Sequence, residues 1–224
     1  LGAHTQGLSK GDIVSVEGHI FCDNCHQCHL NKKHLCHYSQ GIGIDQDGAF
    51  REFLTVPYKN IRTKPSYISK EDMCLMDPFG NAVHAISKVN VLDKSVFISG
   101  AGPIGLYISM LCQHLGASHI ILTDLSHYRL KLAKSLGIEH AINPSKTDIN
   151  LYLKSLNLKH GCDYGFEVSG SSTALQDQLK FISKSGSITL IGLFKQPLPI
   201  NLSELIFKGI TIHTVYGREI FNTW

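Results

Sequence analysis

From Asp93 onward the chain alternates short apolar runs with longer amphipathic stretches, and that alternation narrows the possible folds more than any other feature. The runs 95–98, 119–123, 140–142, 164–168, 187–191 and 210–215 predict strands, and the stretches 103–115, 126–136, 148–156, 173–182 and 202–207 predict helices. Gly116 and Gly137 stop the first two helices. Strands separated by helices must pair in parallel, because a helical crossover returns the chain to the same end of the sheet. The predicted fold class is therefore α/β, a doubly wound, parallel, six-stranded sheet with helices on both faces.

The turn after the first of these strands carries the chemistry. Gly100-Ala101-Gly102-Pro103-Ile104-Gly105 is a G-x-G-x-x-G loop between a strand and a helix, the context in which that otherwise weak motif points to a dinucleotide. Gly100 permits the tight turn, Gly102 lets the backbone approach a pyrophosphate, and Gly105 lets the helix pack close to its strand. The helix N-terminus offers N–H groups and a positive dipole end to the phosphates. Asp124 ends the next strand, about 20 residues on, where a carboxylate accepts hydrogen bonds from ribose hydroxyls and repels a 2′-phosphate, so NAD is expected over NADP. It can also cap the following helix. Arg129 lies either over the adenine ring or free on the surface. Ile191-Gly192-Leu193 and Val215-Tyr216 close the last two strands, at the carboxyl ends where such sheets bind ligands.

The first ninety residues have a different texture. The runs 12–16, 48–56 and 61–64 predict short antiparallel strands, and 73–89 turns helical after Pro78. Between the first two runs, Cys22, Cys25, Cys28 and Cys36 give C-x2-C-x2-C-x7-C. Four thiolates so spaced close a tetrahedron suited to zinc. An iron–sulfur cluster and a redox thiol pair are the alternatives; the ferredoxin pattern has its fourth Cys after three residues, followed by Pro. With all four positions filled by sulfur, the zinc is expected to be structural. His19, His26, His29, His34 and His37 surround the cluster without metal-ligand spacing and are expected to be solvated loop residues, His19 excepted, since it follows Glu17 at a strand end. Cys74, Cys112 and Cys162 sit in or beside apolar runs and are expected to be small buried hydrophobes.

Composition excludes several classes. Hydrophobic residues make up 43% and charged residues 17% of 224, a balance foreign to disordered chains. A net charge of +3 without basic clusters gives nucleic acid little to hold. No apolar run approaches a membrane span and no export signal opens the sequence, so the cytoplasm is the expected compartment.

A zinc lobe ahead of a dinucleotide fold resembles the zinc-dependent medium-chain dehydrogenases. Within them, Gly18-His19-Ile20, the run from Asp77 to His84, the glycine loop, Thr123-Asp124 and Val215-Tyr216-Gly217-Arg218-Glu219 resemble the members that oxidise the 3-hydroxyl of L-threonine to 2-amino-3-oxobutanoate. The resemblance implies a partial GroES-like catalytic domain over 1–88 with its zinc lobe at 18–40, an NAD-binding Rossmann domain over 89–217, and the start of a C-terminal return at 218–224. It implies NAD contacts from Gly100, Gly102, Ile104, Gly105, Asp124, Arg129, Ile191, Gly192, Leu193, Val215 and Tyr216. Asp77 matches an acidic residue of the proton relay; by chemistry alone it starts a turn before Pro78. A homo-oligomer, commonly a tetramer, is implied as well. The family's catalytic zinc is held by a Cys, a His and a Glu in an N-terminal stretch that nothing here matches. The expectation is thus a partial chain, starting at Leu1, that turns over poorly or not at all. The competing readings are a polyol or other secondary-alcohol dehydrogenase and a non-catalytic module binding NAD and zinc.

Overall fold

Antiparallel pairing opens the chain. The computed structural model describes residues 1–2 and 5–224, and the chain divides into one unit of residues 1–80 with 216–224 and a second of residues 81–215. In the first, the elements in order are β1 (Val14–Val16), β2 (His19–Ile20), α1 (His26–His29), β3 (Gln40–Gly41), β4 (Ile61–Thr63), α2 (Lys70–Met73) and the start of α3 (Met76–Ile86). β1 pairs with β4, placing Val16 opposite Ile61, and β2 pairs with β3. Ser69 caps α2 by accepting from the Asp72 N–H. The apolar content of this unit is small: Phe21, three of the cysteines and Ile220 form its buried cluster, with Cys22 and Phe221 packed against it.

Three expectations fail in this unit, the first at His34, which was expected in a solvated loop and is buried in the short helical turn Lys33–Leu35. Residues 48–56 are not a strand; Phe50 and Phe53 stand exposed, so the alternation buries neither face and pairing would gain nothing. Cys74 is not a buried hydrophobe. It is exposed at the C-cap of α2, its thiol 3.6 Å from the Lys70 carbonyl, while its neighbour Met73 takes the interior position.

The second unit is the doubly wound sheet. β5 (Ser95–Ser99), β6 (His119–Thr123), β7 (His140–Ile142), β8 (Cys162–Glu167), β9 (Ile182–Leu190) and β10 (Thr211–Thr214) lie in the order β10-β9-β8-β5-β6-β7, every pair parallel. The connecting helices are α4 (Pro103–His114), α5 (His127–Ser135), α6 (Ile149–Ser155), α7 (Ser172–Phe181) and α8 (Leu202–Lys208). β5 is buried at every residue, as a central strand covered on both faces must be. Val96, Ile98, Leu122 and Phe166 join Ile108 and Cys112 of α4 and Leu130 and Ala133 of α5 on one face. Phe97, Ile121 and Ile188 join Ile149 and Leu153 of α6 and Leu175 and Leu179 of α7 on the other.

Polar contacts lock the helices in place. The buried Gln178 of α7 donates to the carbonyls of Phe97 and Phe166 and to Ser99 Oγ, spanning β5 and β8. Its amide lies so close over Gly165 that a Cβ there would overlap it, which is why a glycine interrupts an otherwise apolar strand. The Lys208 ammonium, at the end of α8, donates to the carbonyls of Leu179, Lys180 and Ile182, satisfying the carboxyl end of α7.

Candidate cofactor cavity and metal centre

A cavity of about 770 Å³ opens at the carboxyl ends of β5, β6 and β8 in the second unit, lined by Gly100, Asp124, Arg129, Pro144, Ser171 and Asp177 among others. It lies where the sheet order reverses, between the strand that runs into the glycine loop and those that flank it. Gly100 has φ +108°, the left-handed region open to glycine, and a Cβ on Gly105 would overlap the Gly100 carbonyl. Gly102 caps α4 with open space where its side chain would be, and Pro103 follows in the first turn. These are the features a pyrophosphate cradle requires, and the loop residues fit one.

Asp124 ties the cavity together. One carboxylate oxygen accepts from the Ala101 N–H at 2.8 Å, fastening the glycine loop to the end of β6, and the other accepts from the Ser126 N–H at 2.7 Å. Arg129 Nη1 lies 3.5 Å from the same carboxylate with its side chain half exposed, so the residue that sequence left between cofactor and surface lines the cavity beside Asp124. The expected capping of α5 falls to Ser126, whose hydroxyl accepts from the Arg129 N–H. Glu167, fully buried at the end of β8, was not singled out from sequence. It accepts from the N–H groups of Ser169 and Gly170 and from the Ser169 hydroxyl, shaping the turn against which Gly100 packs. Its only sequence signal is an acidic residue ending an apolar strand. Ile191, Gly192 and Leu193 follow β9, with Ile191 and Gly192 bonded through their N–H groups to the Glu167 carbonyl and Leu193 exposed. Val215 is buried and continues the β10 pairing by donating to the Leu190 carbonyl. Tyr216 belongs to the first unit, where its ring meets that of His19 edge-on.

The first unit holds the cysteines. The ligand atoms of Cys22, Cys25, Cys28 and Cys36 lie within 4.8 Å of one another, with Sγ separations of 3.5 Å for Cys22–Cys36, 3.8 Å for Cys25–Cys36 and 4.0 Å for Cys22–Cys28. Tetrahedral zinc at Zn–S distances of about 2.3 Å places its sulfurs about 3.8 Å apart, so the four thiols fit that ion. Backbone N–H groups of Cys22, Asn24 and Tyr38 point at the sulfurs from 3.4 Å, as they do where thiolate charge must be shared. The Cys28 N–H draws the Cys25 thiol down to about 6, while burial pushes the Cys28 thiol up to about 12; crowded thiols ionise together only around a cation. Among the described residues this is the one group of three or more His, Cys, Asp or Glu side chains so gathered.

A second polar centre in this unit was only half visible in the sequence. Glu17 has no exposed surface, yet its carboxylate takes the Arg218 Nε and Nη2 at 3.0 and 2.6 Å, the Trp224 Nε1 at 3.0 Å, and both the backbone N–H and Nδ1 of His19 at 2.8 Å. Arg218 Nη1 in turn pairs with the Asp77 carboxylate. Burial alone would raise the Glu17 carboxyl; the His19 and Arg218 hydrogen bonds and the Arg218 charge outweigh it and hold it at about 2. Asp77, the expected relay residue, is thus oriented by an arginine that is itself fixed by a buried carboxylate.

Residues 103–224 match the zinc-binding dehydrogenase family and residues 1–66 the alcohol dehydrogenase GroES-like domain. L-threonine 3-dehydrogenases of Coxiella burnetii and Legionella pneumophila are 38% and 39% identical to it over 224 residues; the whole chain is matched, and it spans 66% of the length of each. Among solved structures, an alcohol dehydrogenase from Thermus sp. ATN1 is similar at a TM-score of 0.90 and 27% identity, covering 100% of this chain and 67% of that one.

Replacing Cys28 by Ser is expected to lower bound zinc from one per chain toward none, measured by elemental analysis after dialysis; full zinc retention would remove the four-thiolate site. The depressed Glu17 carboxyl has a signed consequence. A group whose folded value lies below its unfolded one contributes stability above the unfolded value and loses it as pH falls toward the folded value. Denaturant unfolding should therefore show a loss between about pH 4.5 and about 2, worth at most about 3 kcal/mol, and Glu17→Gln should flatten that part of the profile.

Proposed function

The chain belongs to the zinc-binding dehydrogenases, and from that premise we propose that it serves an NAD-dependent oxidation of a secondary alcohol, L-threonine at its 3-hydroxyl, to 2-amino-3-oxobutanoate. The observation that carries the cofactor half is the Asp124 carboxylate at the end of β6, bonded to the glycine loop. A carboxylate in that position favours ribose hydroxyls and opposes a 2′-phosphate, hence NAD over NADP. Bound NAD supplies the hydride acceptor. Gly100, Gly102 and Gly105 hold its pyrophosphate, Arg129 lies against the adenosine, and Ile104, Ile191, Gly192, Leu193, Val215 and Tyr216 are the further NAD contacts of this reading.

The threonine reading is supported by the identities to the two L-threonine 3-dehydrogenases and by the Asp77 and Arg218 motifs. Asp77 is the acid assigned to the proton relay, and Arg218 keeps its carboxylate from turning away. The four cysteines bind a structural zinc, since four sulfurs leave no coordination position for substrate or water. A homo-oligomeric state, a tetramer by resemblance, belongs to the same reading, as does a cytoplasmic location. No helix among the described residues is long and apolar enough to cross a membrane.

NADH formation by the complete reading frame encoding this chain should be faster with L-threonine than with sorbitol; faster turnover of sorbitol would favour the polyol alternative. Asp124→Ala is expected to weaken NAD at least tenfold and to relax discrimination against NADP, read as the ratio of the two dissociation constants; unchanged affinities would sink the cofactor assignment.

A further inference from the structure

The cavity in the second unit contains a second carboxylate that the cofactor reading does not use. Asp177 lies on the face of α7 that also carries Thr173 and Ala174, one helical turn earlier, and all three line the cavity with Pro144, Ser145 and Arg129. The opposite face of the helix carries the buried Leu175, Gln178 and Leu179, so the direction of Asp177 is fixed by core packing. Among the described residues Asp177 makes no hydrogen bond or ion pair, and the positive charge that acts on it comes from Lys180. Burial raises its carboxyl above the usual range, as expected of an acceptor that lacks a donor.

The order of groups along a dinucleotide assigns that donor. With the pyrophosphate at Gly100 and the ribose at Asp124, the part of the cavity bounded by Pro144, Ser145 and the start of α7 remains for the base. Adenine carries one exocyclic donor, the 6-amino group, where hypoxanthine and guanine carry a carbonyl oxygen. Resting on the cofactor reading above, we propose that Asp177 is a specificity-determining residue for the base, accepting a hydrogen bond from the adenine 6-amino group and rejecting purines with an oxygen at that position. A carboxylate facing a carbonyl oxygen leaves two acceptors opposed and partly desolvated, which discriminates more strongly than the loss of an apolar contact.

The test uses the zinc-loaded full chain and two probes, NADH and reduced nicotinamide hypoxanthine dinucleotide, with binding followed by the fluorescence of the reduced nicotinamide. The chain is expected to prefer NADH by about tenfold, a modest value for one hydrogen bond between partly buried groups. Asp177→Ala should bring the ratio of dissociation constants near one. Asp177→Asn, whose amide can turn its N–H₂ toward the 6-oxygen, should bring it to one or invert it. Because the ratio is taken within each protein, a general loosening of α7 does not move it. NADH binding with the same ratio in all three proteins, or with no preference in the unaltered chain, would overturn the assignment to Asp177 and leave the cofactor reading intact. Failure of the unaltered chain to bind either probe would overturn the cofactor reading and this proposal with it.

Discussion

A carboxylate with no exposed surface must have its charge met entirely by protein donors, and Glu17 meets that demand with five of them. The first unit depends on this arrangement because it has little else. Its apolar cluster is a handful of residues, most of them cysteines, and its strands are two or three residues long. Breaking a buried pair by removing one partner costs on the order of 3–5 kcal/mol, because the remaining charge stays in the interior. The same pair draws residues 216–224 onto the β1–β2 corner, where Ile220 and Phe221 join the cysteine cluster. Ion pair, metal lobe and apolar contact therefore stabilise one another in a unit too small to rely on hydrophobic burial alone.

The second unit rests on the opposite principle. The centre of its sheet is apolar on both faces, and several of its buried polar groups sit at strand ends or between elements. Gln178 joins two strands from within, Lys208 closes a helix from outside, and Asp124 and Glu167 form turns at the carboxyl edge. The last two explain how a rigid sheet presents a shaped cavity: each carboxylate organises backbone N–H groups into a fixed loop. The cavity at the carboxyl edge is built on turns whose conformations are over-determined by neighbouring acids.

Elements of this second unit were legible in the sequence because each follows from local pattern. Each strand's periodicity, each glycine stop and the G-x-G-x-x-G loop is read within a few residues, and in the first unit the cysteine ligands likewise fall within 15 positions. The strand expected at 48–56 shows the limit of local pattern, since alternation specifies a strand only where a partner and a core exist to receive it. Cys74 shows the same limit, because its burial depended on which side of a short helix faced inward. Glu17, Arg218 and Trp224 were beyond reach for a different reason. Their contacts join residues 201 and 207 positions apart, and nothing in a lone Glu or Arg announces so distant a partner. Asp177 was invisible because its meaning lies in the cavity it faces.

The separation of Glu17 from Arg218 also sets a timetable. At ribosomal rates of about 5–20 residues per second, Glu17, just past β1, emerges roughly 10–40 s before the arginine that completes its burial. Until then a carboxylate destined for the interior has no counter-ion, and the first unit can at best hold a provisional, hydrated arrangement. The second unit, encoded between the two, receives its last strand, β10, only four residues before Arg218, so neither unit is complete until the end of that interval. Nascent chains should therefore hold the first unit unfinished until Arg218 emerges, and for that interval its early strands and cysteine loop are open to proteases and chaperones.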